Sequence, residues 1–127
     1  MMSELPYTDN NVALVQDFLD ETKKRIFQGT EITFTSKASN ELNELALFYD
    51  IEPNDILEAI ENLTTENYYR GIDPSPKTDF EVCAFCTKVG KNNLEIYLKY
   101  GLHVDGIQIL LFSNHIPAHP MTQPFKN

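Results

Sequence analysis

The chain has 127 residues, of which 42% are apolar and 23% charged, which excludes a disordered polypeptide and fits one globular domain over residues 1–127. It has no run of 18 apolar residues, which argues against a membrane-spanning helix, and its start lacks the features of a signal peptide, so we expect a cytoplasmic protein. The formal net charge is −9, but residues 1–66 hold 14 acidic and 4 basic side chains, whereas residues 67–127 hold 5 and 6. A negatively charged substrate is therefore expected at the second half.

The first half of the chain is predicted to be mainly helical. After an N-terminal arm at residues 1–9, an Asn cap and the apolar spacing predict a helix over residues 10–28. The alternating, β-branched segment 31–35 predicts a short strand. A second helix is expected to begin at a Ser36 cap, and a third is expected over residues 54–62.

The second half is predicted to change from helices to strands. A short helical turn is expected over residues 64–70, followed by a loop at residues 73–79. A spacing of two then predicts three strands joined by short turns, at residues 80–88, 93–102 and 106–113. The Pro-rich tail at residues 116–127 cannot continue a central strand. The predicted fold is α+β, with N-terminal helices packed on a small, mostly antiparallel sheet that ends in a three-stranded meander.

The cysteines and histidines do not predict a metal site. Cys83 and Cys86 are the only cysteines, and residues three apart on a strand point to opposite faces, so the two thiols are not expected to meet. His103, His115 and His119 also lack the spacing of metal ligands. We therefore expect neither a metal ion nor another cofactor.

Polar side chains that could act on a phosphodiester alternate along the central strand of the meander. Tyr97 and Lys99 share the face opposite the apolar one, and the same alternation predicts Glu81 of the neighbouring strand beside them. His115 follows the last strand, and Arg70 ends the short turn. Histidine can serve as acid or base near neutral pH, while Arg and Lys stabilise charge that develops on phosphate. The alternative is a solvated sheet face without catalytic function.

Three short motifs, in their order and spacing, resemble the MqsR family of ribosome-independent, mRNA-cleaving toxins. Leu63-Thr-Thr-Glu-Asn-Tyr-Tyr-Arg70 is similar to the family's turn, Ile96-Tyr-Leu-Lys99 to its strand motif, and Ser113-Asn-His115 to its closing strand. The resemblance covers roughly residues 12–116 and implies a fold like that of the RelE and YoeB toxins. It further implies the toxin of a bacterial type II toxin–antitoxin module, which cleaves mRNA without metal and is blocked by a cognate antitoxin protein.

The resemblance assigns roles to the same candidate residues. The family's basic residue of the turn falls on Arg70, and its strand tyrosine and the following lysine fall on Tyr97 and Lys99. Its last basic residue falls on His115, and a glutamine of the family falls on Glu81. Arg70 and Lys99 are then expected to contact phosphate, with Tyr97 and His115 near the scissile bond.

The neighbouring aromatic pair, Tyr68 and Tyr69, is expected to supply a ring that stacks on an unpaired base. The chain departs from the family pattern at three positions, because Arg70 replaces a lysine, Glu81 a glutamine and Asn114 a phenylalanine. Its acidic composition is also unusual for a protein that must approach RNA. These departures keep a second interpretation open, a non-catalytic protein-binding or regulatory member of the same fold that has lost RNase activity.

Overall fold

The computed structural model describes residues 9–74 and 79–126 and has an α+β architecture. Its helices are α1 (Asp9–Phe27), α2 (Ser36–Tyr49) and α3 (Pro53–Glu61), with a 3₁₀ turn at Thr65–Asn67. Its strands are β1 (Ile32–Phe34), β2 (Tyr68–Pro74), β3 (Phe80–Val89), β4 (Leu94–His103) and β5 (Ile109–His115). The predicted fold class is confirmed at this level. Most of the N-terminal arm, and the middle of the loop expected at residues 73–79, lie outside the described residues.

The helix ends follow from local capping chemistry. α1 ends just before Gly29, whose φ of +98° lies in the region that favours glycine. Thr35, rather than the expected Ser36, caps α2, because its hydroxyl accepts a hydrogen bond from the backbone N–H of Ala38 at 3.1 Å. Pro53 is the first residue of α3, where its missing N–H leaves no helical hydrogen bond unmade.

The strands of the described chain form one mixed sheet in the order β1-β5-β4-β3-β2. β1 pairs in parallel with β5, and all other neighbours are antiparallel. The expected meander is confirmed as β3, β4 and β5. Its last strand begins at Ile109, later than predicted, and continues to His115.

Residues 68–70 begin an edge strand, so the prediction of a helical turn over residues 64–70 is wrong beyond residue 67. Tyr68 lies opposite Phe85, and Arg70 opposite Ala84. This pairing with β3 outweighs the local capping signal, and aromatic side chains suit a half-buried pleated surface. The 3₁₀ turn itself is capped at Thr64, whose backbone N–H donates to the side-chain oxygen of Asn67 at 2.9 Å.

The pairing of β2 with β3 is irregular around Gly71. The φ of Gly71 is +109°, and a Cβ added there would lie 2.8 Å from the backbone oxygen of Val82. Both its left-handed backbone and this close approach require glycine. Gly71 therefore allows β2 to run close along β3, with Arg70 on the face of the sheet that points away from the core.

The helices cover one face of the sheet and build the hydrophobic core there. The ring of Phe18 in α1 lies 5.3 Å from that of Tyr100 in β4, and the hydroxyls of Thr22 and Tyr100 are hydrogen-bonded at 2.8 Å. Fully burying an apolar side chain of this size contributes about 1.5–3 kcal/mol. Side chains buried completely on this face include Phe85, Ile96, Leu98, Tyr100, Ile109 and Leu111. The apolar face predicted for β4 is thus confirmed.

The cysteines occupy the two opposite faces, as expected. Cys83 pairs with Tyr100 and belongs to the core, whereas Cys86 pairs with Tyr97 on the outer face, and both thiols are free. Within the described ranges, no helix is long and apolar enough to cross a membrane.

Candidate functional site

The outer face of the sheet, turned away from α1 and α3, carries a surface pocket of about 300 Å³. β2, β4 and β5 form its floor and one side, and the C-terminal segment 117–121 forms the other. We call it the cationic pocket, because Lys37, Arg70 and Lys99 line it. Its lining also includes Tyr69, Tyr97, Ser113, His115 and His119, and no Asp or Glu among the residues that the structure describes. In a chain of net charge −9, this is a locally electropositive site.

Five of the predicted site residues line this pocket, namely Tyr69, Arg70, Tyr97, Lys99 and His115, and two of them, His115 and Tyr97, contact each other there. They are cross-strand partners in β5 and β4, and their rings stack with centroids 4.9 Å apart at an angle of 26°. Nδ1 of His115 lies 2.9 Å from the backbone oxygen of Ile116. A carbonyl oxygen only accepts, so Nδ1 carries the hydrogen and the neutral ring keeps its lone pair on Nε2. In this tautomer Nε2 is the acceptor atom of the His115 ring.

Tyr97 is placed to donate a hydrogen bond rather than to act as a base. Burial raises the pKa of its phenol, and the nearby Arg70 guanidinium only partly opposes this effect. The hydroxyl therefore stays protonated at neutral pH. Tyr69 meets the Tyr97 ring edge-on at 6.2 Å, and the Arg70 guanidinium carbon lies 5.2 Å from the centre of the Tyr69 ring. This contact holds the Arg70 charge at the pocket.

Lys99 and Lys37 approach the pocket from different elements. Lys99 pairs across the sheet with Ser113 in β5. Lys37 comes from the first turn of α2, and its Nζ donates to the Ser113 hydroxyl at 3.0 Å while lying 3.9 Å from a carboxylate oxygen of Glu41. Sequence reasoning missed Lys37, because its position depends on how α2 docks against β5.

Asn114 provides that docking. Its side-chain amide donates to the backbone oxygen of Ala38 at 2.9 Å, and its backbone N–H donates to the Glu41 carboxylate, also at 2.9 Å. Asn114 is fully buried on the core side of β5. A side chain without an amide could not make the bond to the Ala38 oxygen, so Asn114 helps to dock α2, which carries Lys37, against β5.

Glu81 does not join the group, and its expected position beside Lys99 is wrong. In the observed register Glu81 lies opposite Leu102, on the face that the helices cover, whereas Lys99 lies opposite Ala84. Glu81 lines a separate pocket beside α1, together with Asp17. The prediction failed because alternation within a strand does not reveal which of its faces matches a given face of the next strand.

Tyr68 is also absent from the cationic pocket. Its ring is completely buried, stacks on Phe125 with centroids 5.1 Å apart, and meets Phe85 edge-on. Its hydroxyl donates to the backbone oxygen of Gly71. Tyr68 therefore belongs to the core, and Tyr69 is the member of the pair that remains available to a base.

The wall formed by the C-terminal segment was not foreseen. Pro117 and Met121 line the pocket together with His119. Further along, the Gln123 side-chain amide donates to the backbone oxygen of Cys86 at 2.9 Å. Cys86 is the β3 residue that follows Phe85, the last one paired with β2. The tail does not continue the sheet, as predicted, but it lies against the sheet and completes the site.

Among the described residues, no group of three His, Cys, Asp or Glu side chains is placed to hold a metal ion. The chemistry available in the cationic pocket is that of imidazole, phenol, ammonium and guanidinium groups. No family model, no curated protein and no solved structure matches this chain.

Proposed function

We propose that this protein is a metal-independent endoribonuclease that cleaves mRNA, and that it is the toxin of a bacterial type II toxin–antitoxin module with a RelE/YoeB-like fold. One observation carries the proposal. His115, with its Nε2 lone pair free, is stacked on Tyr97 in a pocket that holds Lys37, Arg70 and Lys99 and lacks carboxylates among its described lining residues. Such a pocket suits an anionic substrate that carries a proton to be removed.

RNA supplies both features, because its 2′-hydroxyl lies beside the phosphate that it can attack. Nε2 of His115 takes the 2′-hydroxyl proton, and the 2′-oxygen attacks phosphorus. The Tyr97 hydroxyl donates a hydrogen bond to a phosphate oxygen, and Arg70 and Lys99 stabilise the charge that develops there. The P–O5′ bond breaks and the departing 5′-oxygen takes up a proton, so the products are a 2′,3′-cyclic phosphate and a 5′-hydroxyl.

Tyr69 supports single-stranded rather than duplex RNA as the substrate. Its ring is half-buried, and Arg70 occupies one side of it. An unpaired base can stack on an aromatic ring or on an arginine plane, contributing about 1–3 kcal/mol per base. Stacking of this kind would hold a base next to the phosphate in the pocket.

The test is cleavage of mixed-sequence RNA by the purified protein in the presence of EDTA. We expect cleavage with 2′,3′-cyclic phosphate ends, a loss of about 10²–10⁴-fold for His115→Ala, and a smaller loss for Tyr97→Phe. Glu81→Gln is the matched control, since Glu81 lies on the opposite face of the sheet and its loss should leave the rate unchanged. Induced expression should arrest bacterial growth for the wild type and not for a variant carrying both His115→Ala and Tyr97→Phe.

Intact RNA with the wild type, together with equal growth of the two strains, would contradict the nuclease proposal.

The second candidate, a non-catalytic protein-binding member of the fold, is favoured by one separate observation. Leu47, Phe48 and Tyr49 at the end of α2 are 76%, 69% and 45% exposed, an unusual run of apolar surface. A partner such as an antitoxin could bind there in either case.

A further inference from the structure

The C-terminal segment brings a second imidazole into the cationic pocket. His119 lines the pocket with His115, although β5 ends at His115 and His119 lies further along the chain. The segment is anchored beyond this point, where Gln123 donates to a β3 backbone oxygen and Phe125 stacks on Tyr68. The position of His119 is therefore part of the packed structure.

The imidazole of His119 is held in the same way as that of His115. Its Nδ1 lies 3.2 Å from the backbone oxygen of Pro120, as Nδ1 of His115 lies 2.9 Å from that of Ile116. A carbonyl oxygen accepts a hydrogen bond from Nδ1 in both the neutral and the protonated ring. Nε2 of each histidine is thus left for a ligand in either state.

Cleavage by the 2′-hydroxyl needs an acid as well as a base, because the departing 5′-oxygen must be protonated. Arg70, Lys37 and Tyr97 are less suited to this step, and Lys99 is already assigned to the charge on the phosphate. Arg70 does not release its proton, and the ammonium of Lys37 already donates to the Ser113 hydroxyl and lies 3.9 Å from a carboxylate oxygen of Glu41. Burial raises the pKa of the Tyr97 phenol, which makes it a weaker acid still.

We infer that His119 is the general acid of the reaction, and this assignment rests on the proposed ribonuclease function. The O2′–P bond forms as the O2′ proton moves to Nε2 of His115, and the P–O5′ bond breaks as the proton on Nε2 of His119 moves to O5′. No other reactant is consumed. His119 is the exposed histidine of the pocket and His115 the half-buried one.

The experiment compares two linkages in one oligoribonucleotide that the wild-type protein is first shown to cleave. The first has the natural 5′-oxygen, and the second has a bridging 5′-sulfur, which departs without needing a proton. We expect His119→Ala to slow cleavage of the oxygen linkage about 10²–10⁴-fold and to leave cleavage of the sulfur linkage near the wild-type rate. His115→Ala should slow both, since the base is needed for either linkage.

His103→Ala serves as the histidine control, because His103 lines the pocket beside α1 and not the cationic pocket. Thermal unfolding of each variant shows whether its fold is kept. If the folded His119→Ala variant cleaves both linkages equally slowly, His119 acts in binding or positioning and the inference is overturned. Cleavage of both linkages at the wild-type rate would also overturn it. A wild type that cleaves neither linkage, and no other RNA, would instead overturn the proposed ribonuclease function itself.

Discussion

The side-chain amide of Asn114 donates to the backbone oxygen of Ala38 at 2.9 Å, and this bond ties β5 to the first turn of α2. Because both partners are buried, Asn114→Ala should lower the free energy of unfolding by about 1–3 kcal/mol. Denaturant unfolding measures this loss. Asn92→Ala, in the exposed β3–β4 turn, is the matched control and should change stability by less than about 0.5 kcal/mol. Equal stability of the Asn114 variant and wild type would contradict this role.

The cations of the pocket should determine the salt dependence of binding to a single-stranded polyanion. Arg70→Ala and Lys99→Ala should each weaken binding of a non-cleavable 2′-O-methyl RNA and make the slope of log affinity against log salt shallower by about 0.7. Lys91→Ala removes the same charge from a turn where Lys91 pairs with Asp50 at 3.5 Å, outside the pocket. Lys91→Ala should leave the slope at the wild-type value. If the Arg70 and Lys99 variants show the same slope as the Lys91 variant, the binding surface lies outside the cationic pocket.

Substitutions at two glycines distinguish the stability cost of a left-handed backbone from the cost of a steric clash. The two glycines have similar backbone angles but different surroundings. Gly29 and Gly71 have φ values of +98° and +109°, but an added Cβ meets nothing within 4 Å at Gly29 and lies 2.8 Å from the Val82 backbone oxygen at Gly71. Gly29→Ala should therefore lower stability by about 1–2 kcal/mol, the left-handed backbone penalty alone. Gly71→Ala should lower it by clearly more in the same denaturant measurement, and a smaller loss at Gly71 would contradict the close approach of β2 to β3.

Stability should fall at alkaline pH because three buried groups resist ionisation. Burial raises the pKa of the Cys86 thiol to about 12 and also raises the pKa values of Cys83 and Tyr100. Below pH 8 these groups are protonated whether the chain is folded or unfolded, so they add no pH dependence. Between about pH 9 and 12 the unfolded chain releases protons that the folded one keeps, and each such group lowers stability by about 1.4 kcal/mol per pH unit.

Unfolding measured at intervals from pH 7 to 11 tests this slope. Cys86→Ala should show a shallower decline than the wild type above pH 9, since one group with a raised pKa is gone. A decline of the same steepness in both proteins would mean that the Cys86 thiol does not contribute.

The elements predicted well from the sequence are those that local patterns determine. Ile96, Leu98 and Tyr100 alternate with Tyr97 and Lys99 within one strand, so the two faces of β4 could be assigned without knowing its neighbours. The α-helices were predicted for the same reason, because their caps and apolar spacing lie within a few residues of each other.

What failed depends on contacts between distant segments. Glu81 was assigned to the wrong face because the register of β3 against β4 is not visible in either strand alone. Tyr68 was expected to bind a base, but the ring of Phe125, distant in sequence, covers it. Lys37 and His119 were not identified as pocket residues because one depends on the docking of α2 and the other on the course of the tail.

The separation of charge across the sheet bears on how such an acidic protein could meet a polyanion. Residues 1–66 carry 14 of the 19 carboxylate side chains, and α1 and α3, which belong to this half, lie across the sheet from the cationic pocket. The carboxylates of α1 and α3 and the cationic pocket therefore lie on opposite faces of the sheet, so the positive end of the molecule's electric dipole is the end at which the pocket would meet a phosphate chain.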